Sequence, residues 1–229
     1  LSRQESSRFY KEIRFIDFNT HYGIKLYGYF KKEIKLKEDN IEINKIVLNP
    51  AYKYSCECCV DGFYQQYLWS KDKAFALRLG IYNPKCRISP QVEIPRQFEK
   101  GIIGIVLHPT HHGFSLLHNK LQYIYEFIEK KKLILVVHNA VKEEIEYLLD
   151  KYNFNVVLID SNFVINDKRV YYVVNHQSRY IPPRAIYGSD SPYNSLDLIE
   201  SAREYLRNHE YDEDIGYKNF LRLIYETNA

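Results

Sequence analysis

Histidines carry the most concentrated chemistry in this sequence. Four of the eight, His108, His111, His112 and His118, fall within eleven residues, and His138 closes the next apolar run. Imidazole exchanges protons near neutral pH, ligates transition metals and hydrogen-bonds anions. The cluster therefore suits a metal site completed by His138, Asp160 or Asp190, although neither HExxH nor a paired CxxC spacing accompanies it. It also suits acid–base work by His111 or His112 on a hydroxyl or a water. A third use is anion binding. A helix beginning near Gly113 would offer free backbone N–H groups and the positive end of its dipole to a phosphate. One glycine in this turn, rather than a GxGxxG run, argues against a dinucleotide site. The plainest alternative is a tight turn whose histidines bond only backbone.

A few further residues invite chemical readings. Asp160 ends an apolar strand. Arg179 and Arg184 flank Pro182-Pro183 and match a clamp on phosphate or carboxylate. Cys56, Cys58 and Cys59 could form half a zinc site that Cys86 and a histidine would complete, but the spacing is wrong for a common finger or ribbon, so buried thiols are the expectation. Tyrosine is abundant, and its rings either stack on sugars or fill a core.

The elements that must position these groups follow from apolar periodicity. Residues 102–107 form a continuous apolar run, as a buried parallel strand does. Phe114, Leu117, Leu121, Ile124 and Ile128 recur at helical spacing, and Lys130 to Lys132 end that helix. Strands at 133–137, 156–159 and 170–174 follow, with a helix at 141–152 between the first two. Alternating strands and helices predict right-handed crossovers and a parallel sheet. Strand C-terminal ends are where such sheets bind ligands, which makes His108, Gly113, His138 and Asp160 the candidate site. Residues 180–193 read as a loop, and Ser195 as the cap of a helix to about residue 208.

Residues 1–100 read as β-rich. The segments 13–18 and 24–30 suggest a hairpin turning at His21 to Gly23, and 41–48 continues the strand pattern. Residues 63–79 are undecided between strand and helix. Pro84, Pro90 and Pro95 predict an extended connection. The expected domains are thus 1–100, β-rich, and 101–229, a Rossmann-like α/β unit.

Bulk properties exclude some functions. A net charge of +3, with basic and acidic residues interleaved, gives no case for nucleic acid. No apolar run approaches the ~20 residues that span a bilayer, and no signal-peptide pattern is present. Four cysteines are too few for a disulfide scaffold, so a cytoplasmic setting is expected, at most at the inner face of the membrane. Methionine is absent and Leu1 comes first. This reads as a fragment, a processed chain, or a sequence from which modified methionines have dropped out.

The order of elements from Gly101 to Leu206 resembles the N-terminal part of the family 61 glycosyltransferases. The carrying features are the strand at 105–107, the turn His111-His112-Gly113, the apolar helix start at 114–117, and the strands at 133–137 and 156–160. The segment 170–174, the Pro182-Pro183 loop and the helix at 195–206 complete the pattern. Phe114 stands where the family most often has a histidine, leaving His111 or His112 to take that role.

That resemblance implies one lobe of a two-lobed enzyme of bacterial surface-polysaccharide synthesis. Its partners would be a nucleotide sugar and a saccharide acceptor, together with membrane-bound glycan machinery, a second copy or a second lobe from another segment. His111 or His112 would be the base, with Arg179 and Arg184 on the diphosphate. No cofactor and no bound metal are implied. The competing readings are a metal-assisted hydrolase or phosphoesterase using the cluster from His108 to His118, and a non-catalytic binding module.

Overall fold

The structure is a computed structural model that describes residues 11–23, 34–50 and 61–226. Its first strand, β1 (Ile13–Thr20), pairs in parallel with β3 (Ile41–Leu48), and the two-residue strand β2 (Lys37–Glu38) lies antiparallel to β3. From β3 the sheet runs on through β4 (Ala76–Ile81), β5 (Gly104–Leu107), β6 (Ile134–His138), β7 (Val156–Ile159), β8 (Val170–Val174) and β9 (Ala185–Tyr187). Every one of these pairings is parallel. The sheet continues without interruption across residue 100, where β4 pairs with β5.

The first and last strands meet. Thr20 bridges Ser191 in parallel, the Asp190 N–H donates to the Asn19 carbonyl at 2.8 Å, and the His21 N–H donates to the Ser191 carbonyl at 2.9 Å. Gly188 allows this approach. A Cβ there would lie 2.9 Å from the Asn19 Cβ and 2.6 Å from a Val173 methyl, closer than packed atoms come. Eight parallel strands thus form a nearly closed barrel.

This corrects the expected Rossmann-like, two-lobed arrangement. Alternating strands and helices predict parallel crossovers for an open sheet and for a barrel alike. The outcome depends on whether the outer strands can reach each other, which is a long-range contact that periodicity does not encode. The β-rich N-terminal segments are barrel strands of the same kind as the later ones. The expected partner of β1 in a hairpin, residues 24–30, lies outside the described residues.

Helices fill the connections on one side of the barrel: α1 (Asp61–Ser70), α2 (Pro90–Glu99), α3 (Pro109–His112), α4 (Leu121–Lys131) and α5 (Lys142–Lys151). The helix α2 replaces the expected extended connection. Pro90 occupies its first turn, where no N–H is needed, and Pro95 is accepted inside it because the helix is anchored from its buried face. There Gln97 closes a pair of hydrogen bonds with the Ile81 backbone, at 2.9 and 3.0 Å. Between β7 and β8, and between β8 and β9, the connections are loops, at 160–169 and 175–184. The strand β9 falls inside the segment read as loop.

After the barrel come α6 (Leu198–Asn208), a π-helical turn at Asp214–Lys218 and α7 (Asn219–Tyr225). Asp197, not Ser195, caps α6, through a reciprocal box with Glu200. Ser195 has φ of 66° and belongs to the preceding turn. Tyr205 of α6 packs on Phe15 of β1 and Tyr187 of β9, with ring centroids 6.0 and 5.2 Å away, so α6 covers the closing seam.

Candidate active site

Three strands of the barrel run into a histidine at or just beyond their C-terminal end: FNTH at His21, IVLH at His108 and LVVH at His138. Parallel strands all deliver their C-terminal ends to one rim, so the three imidazoles share a mouth. Asn139, Asp160 and Asp190 follow β6, β7 and β9 with φ of 50°, 55° and 70°. Asn and Asp tolerate this left-handed backbone better than most residues, and such corners concentrate at functional rims.

The side chain of His21 is almost wholly buried, and both of its ring nitrogens are held. Nδ1 lies 2.8 Å from the backbone carbonyl of Asn49, and Nε2 lies 2.7 Å from Asp190 Oδ1. A carbonyl oxygen only accepts, so Nδ1 carries a hydrogen. The bond from Nε2 to Asp190 then holds one proton shared between imidazole and carboxyl. The Asp190 side chain remains 44% exposed, which leaves it open to a small molecule at the mouth. The Tyr193 ring packs on His21, with centroids 4.4 Å apart.

His138 contrasts with His21. Its Nε2 accepts from the Asn49 side-chain amide at 2.9 Å, and the same amide nitrogen donates to Asn19 Oδ1 at 2.9 Å. Burial, followed by the nearby His21 and His111, pushes the His138 imidazole down to about 3. It is therefore neutral, and Nδ1 is the nitrogen that keeps a hydrogen. His108 lies beside it with ring centroids 4.3 Å apart, and donates from Nε2 to the Pro50 carbonyl at 3.2 Å. Burial first, then His138 and His112, holds His108 well below the usual imidazole range. Two neutral histidines and one proton-sharing pair thus line one mouth.

Asp17 supports the mouth from below. It is fully buried on β1, and its Oδ1 accepts from the Ser189 N–H at 2.8 Å and the Asn19 N–H at 3.3 Å. It therefore fixes the exit of β9 against β1, through Ser189, which immediately precedes Asp190, and through Asn19. Desolvation, offset in part by the hydrogen bonds to Ser189, pushes its carboxyl up to about 7.

The other candidates named from sequence are placed as follows. His111 lies 3.3 Å from the Asn139 amide, in α3 above the mouth. His112 ends α3, and Gly113 caps it in the left-handed region with φ of 69°. The helix that would present an anion site at Gly113 begins later, at Leu121. His118 sits in that intervening turn, where its Nδ1 accepts from the Lys120 N–H. Asp160 stands at the rim. Partial burial and then the Asp190 carboxylate push it up, while His111 pulls it down.

The two arginines are separated. Arg179 lines a cavity beside the mouth. Arg184 precedes β9 at the opposite end of the barrel, where its Nε donates to the Val170 carbonyl at 2.8 Å. They do not form a clamp. Cys86 is buried, and Cys56, Cys58 and Cys59 lie outside the described residues.

His21, Asn49 and Asp190 were not singled out together by sequence. His21 was read as part of a turn. The recurring pattern of an apolar strand followed by histidine could have found it.

Histidines and carboxylates at one mouth raise the question of a transition metal. Both ring nitrogens of His21 are held, by Asn49 and Asp190, as are Nε2 of His138, by Asn49, and Nε2 of His108, by Pro50. Among the described residues no three His, Cys, Asp or Glu side chains converge as a metal-holding group. As folded, the described residues do not fit such an ion.

No protein-family model matches the chain, and no curated protein matches it in sequence. Solved structures do share its fold. An uncharacterized TIM-barrel protein from Bordetella bronchiseptica is 14% identical with a TM-score of 0.63, over 82% of this chain and 79% of that one. A probable 2-pyrone-4,6-dicarboxylic acid hydrolase from Acinetobacter baumannii, with citric acid bound, is 13% identical with a TM-score of 0.56, over 92% and 98%. A putative amidohydrolase from Staphylococcus aureus is 14% identical with a TM-score of 0.57, over 93% and 99%.

The fold is therefore the TIM barrel that these proteins share. The resemblance to family 61 glycosyltransferases is overturned, and with it the reading as a surface-polysaccharide enzyme. Nothing supports a nucleotide sugar or a saccharide acceptor as partner. Among the described residues, no helix is long and apolar enough to cross a membrane, and nothing supports a place at the membrane face.

Proposed function

We propose that the chain is a hydrolase that splits a small polar ester, lactone or amide at the C-terminal mouth of the barrel. The observation that carries this reading is the hydrogen bond between His21 and Asp190, with His21 Nδ1 anchored on the Asn49 carbonyl. In barrels of parallel strands, chemistry is placed at this rim by residues from several strand ends. The fold neighbours named as a hydrolase and a putative amidohydrolase support the same direction.

With the shared proton on His21 Nε2, Asp190 is a carboxylate beside a positive imidazolium. It accepts a proton from a water, whose oxygen attacks the substrate carbonyl carbon. The carbonyl π bond opens to a tetrahedral oxyanion. On collapse the bond to the leaving oxygen or nitrogen breaks, and Asp190 returns the proton to that group. Protons and electrons balance without any further reactant. The neutral His138 offers a hydrogen-bond donor at the same mouth without adding charge. Asn19 and Asn49 hold the imidazoles in place through the amide chain between β1, β3 and β6.

The test is a pH-stat survey of small esters, lactones and amides with the wild-type protein and His21→Asn. Acid release by the wild type that falls roughly 100- to 10,000-fold in the variant is expected, the usual worth of a positioned acid–base group. Equal rates in the two proteins would contradict the proposal.

A further inference from the structure

The loops after β7 and β8 replace the helices found elsewhere, and the space between them is a cavity of about 610 Å³. Small-molecule sites occupy roughly 300–1,000 Å³. Asp160, Asn162, Tyr172, Gln177, Arg179 and Tyr180 contribute to its wall. Asp160 belongs both to this wall and to the rim, where it feels the charge of Asp190. One wall residue of the cavity thus lies within electrostatic reach of Asp190.

Arg179 is the one cationic side chain among the lining residues. Most arginines of the described chain are engaged with carboxylates or carbonyls, for example Arg169 with Asp167 and Arg184 with Val170. Arg179 has no ion pair or hydrogen bond among the described residues, and it is exposed. A guanidinium facing a cavity with its donor fork unspent matches a planar oxyanion. Asn162 and Gln177 add side-chain amides, and Tyr180 adds a phenol, to the same wall.

We infer that this cavity is the substrate's anchoring pocket, and that it takes a carboxylate borne by the molecule whose carbonyl reaches Asp190. This rests on the hydrolase reading for the role of the second end of the ligand. A carboxylate is chosen over a phosphate by charge. One arginine answers one negative charge, whereas a second would face Asp160 and Asp190 uncompensated. Arg179 is here a specificity-determining residue and takes no part in proton transfer.

Isothermal titration at mildly alkaline pH with levulinate, which bears one carboxylate and an unhydrolysable ketone carbonyl, and with inorganic phosphate, there a dianion, tests this on the whole chain. Wild type, Arg179→Gln and a control on α2, the exposed Arg96→Gln, are compared, with thermal melting as the check of folding. Levulinate should bind wild type and the control alike, and Arg179→Gln at least about tenfold more weakly. Phosphate should bind less tightly than levulinate. The inference is overturned if levulinate fails to bind wild type, if Arg179→Gln binds it as well, or if phosphate binds more tightly.

The two readings fail separately. Binding that depends on Arg179 without turnover on any substrate would sink the hydrolase and leave the pocket. Turnover lost in His21→Asn, with levulinate binding indifferent to Arg179, would sink the pocket and leave the hydrolase.

Discussion

His21 and His138 end two strands of the same barrel and both touch Asn49, yet they are held in opposite chemical states. The backbone carbonyl of Asn49 accepts from His21, while its side-chain amide donates to His138. His21 then meets a carboxyl on its other nitrogen, and one hydrogen bond joins the two. His138 meets burial and another histidine, and stays neutral. One residue thus sets two tautomers, and burial alone does not decide what an imidazole can do. The partner opposite each nitrogen decides it.

Removing the carboxylate breaks this comparison most severely. Asp190→Asn should lower turnover roughly 100- to 10,000-fold, whereas His138→Gln, which keeps a neutral donor, should lower it far less. Steady-state kinetics on a substrate found by the pH-stat survey measure both. Equal losses would mean that the two histidines act as one set and that the contrast is empty.

Asn49→Ala removes the amide shared by His138 and Asn19 and leaves the backbone carbonyl that holds His21. Leaving such buried groups unsatisfied costs about 1–3 kcal/mol. Urea unfolding should show a loss of that size. A variant as stable as wild type would show that the amide chain across β1, β3 and β6 does not hold the mouth together.

Stability against pH should carry two slopes of opposite sign. His138 titrates near 6.5 when unfolded and near 3 when folded, so the unfolded chain binds the extra proton. Its contribution is complete above 6.5 and is lost as pH falls from there toward about 3. Asp17 titrates near 3.8 unfolded and near 7 folded. Its contribution is complete below 3.8 and is lost as pH rises through about 7. Between about 3.8 and 6.5 the two slopes oppose each other, so in melting curves taken across pH His138→Gln should leave stability falling as pH rises through that window, and Asp17→Asn should leave it rising. An unchanged profile in the first variant would remove His138 as a contributor.

Much of the local structure was legible in the residues. The strands β7 and β8 fall where apolar runs place them, and α5 and α6 where amphipathic spacing does, because those signals are local. The helix α4 begins at Leu121, later than the spacing from Phe114 implied, because a capped turn at Gly113 and a second turn at His118 intervene. The strand β9 was hidden because three residues among prolines, glycine and serines show no period. Its pairing with β8 and the seam to β1 supply what the sequence does not mark.

The site was half legible. His108, His138 and Asp160 stand at strand ends, as their positions after apolar runs implied. Asp190 gains its role only because closure of the barrel carries it 169 residues back along the chain to His21.

The proton-sharing pair at the mouth is tested most directly by hydrolysis in ¹⁸O-labelled water, with the product read by mass spectrometry. With the wild-type protein the acid product should carry one ¹⁸O per turnover, and Asp190→Asn should yield label only at the uncatalysed rate. Product released by the wild type without label, or labelled equally fast by Asp190→Asn, would contradict the account.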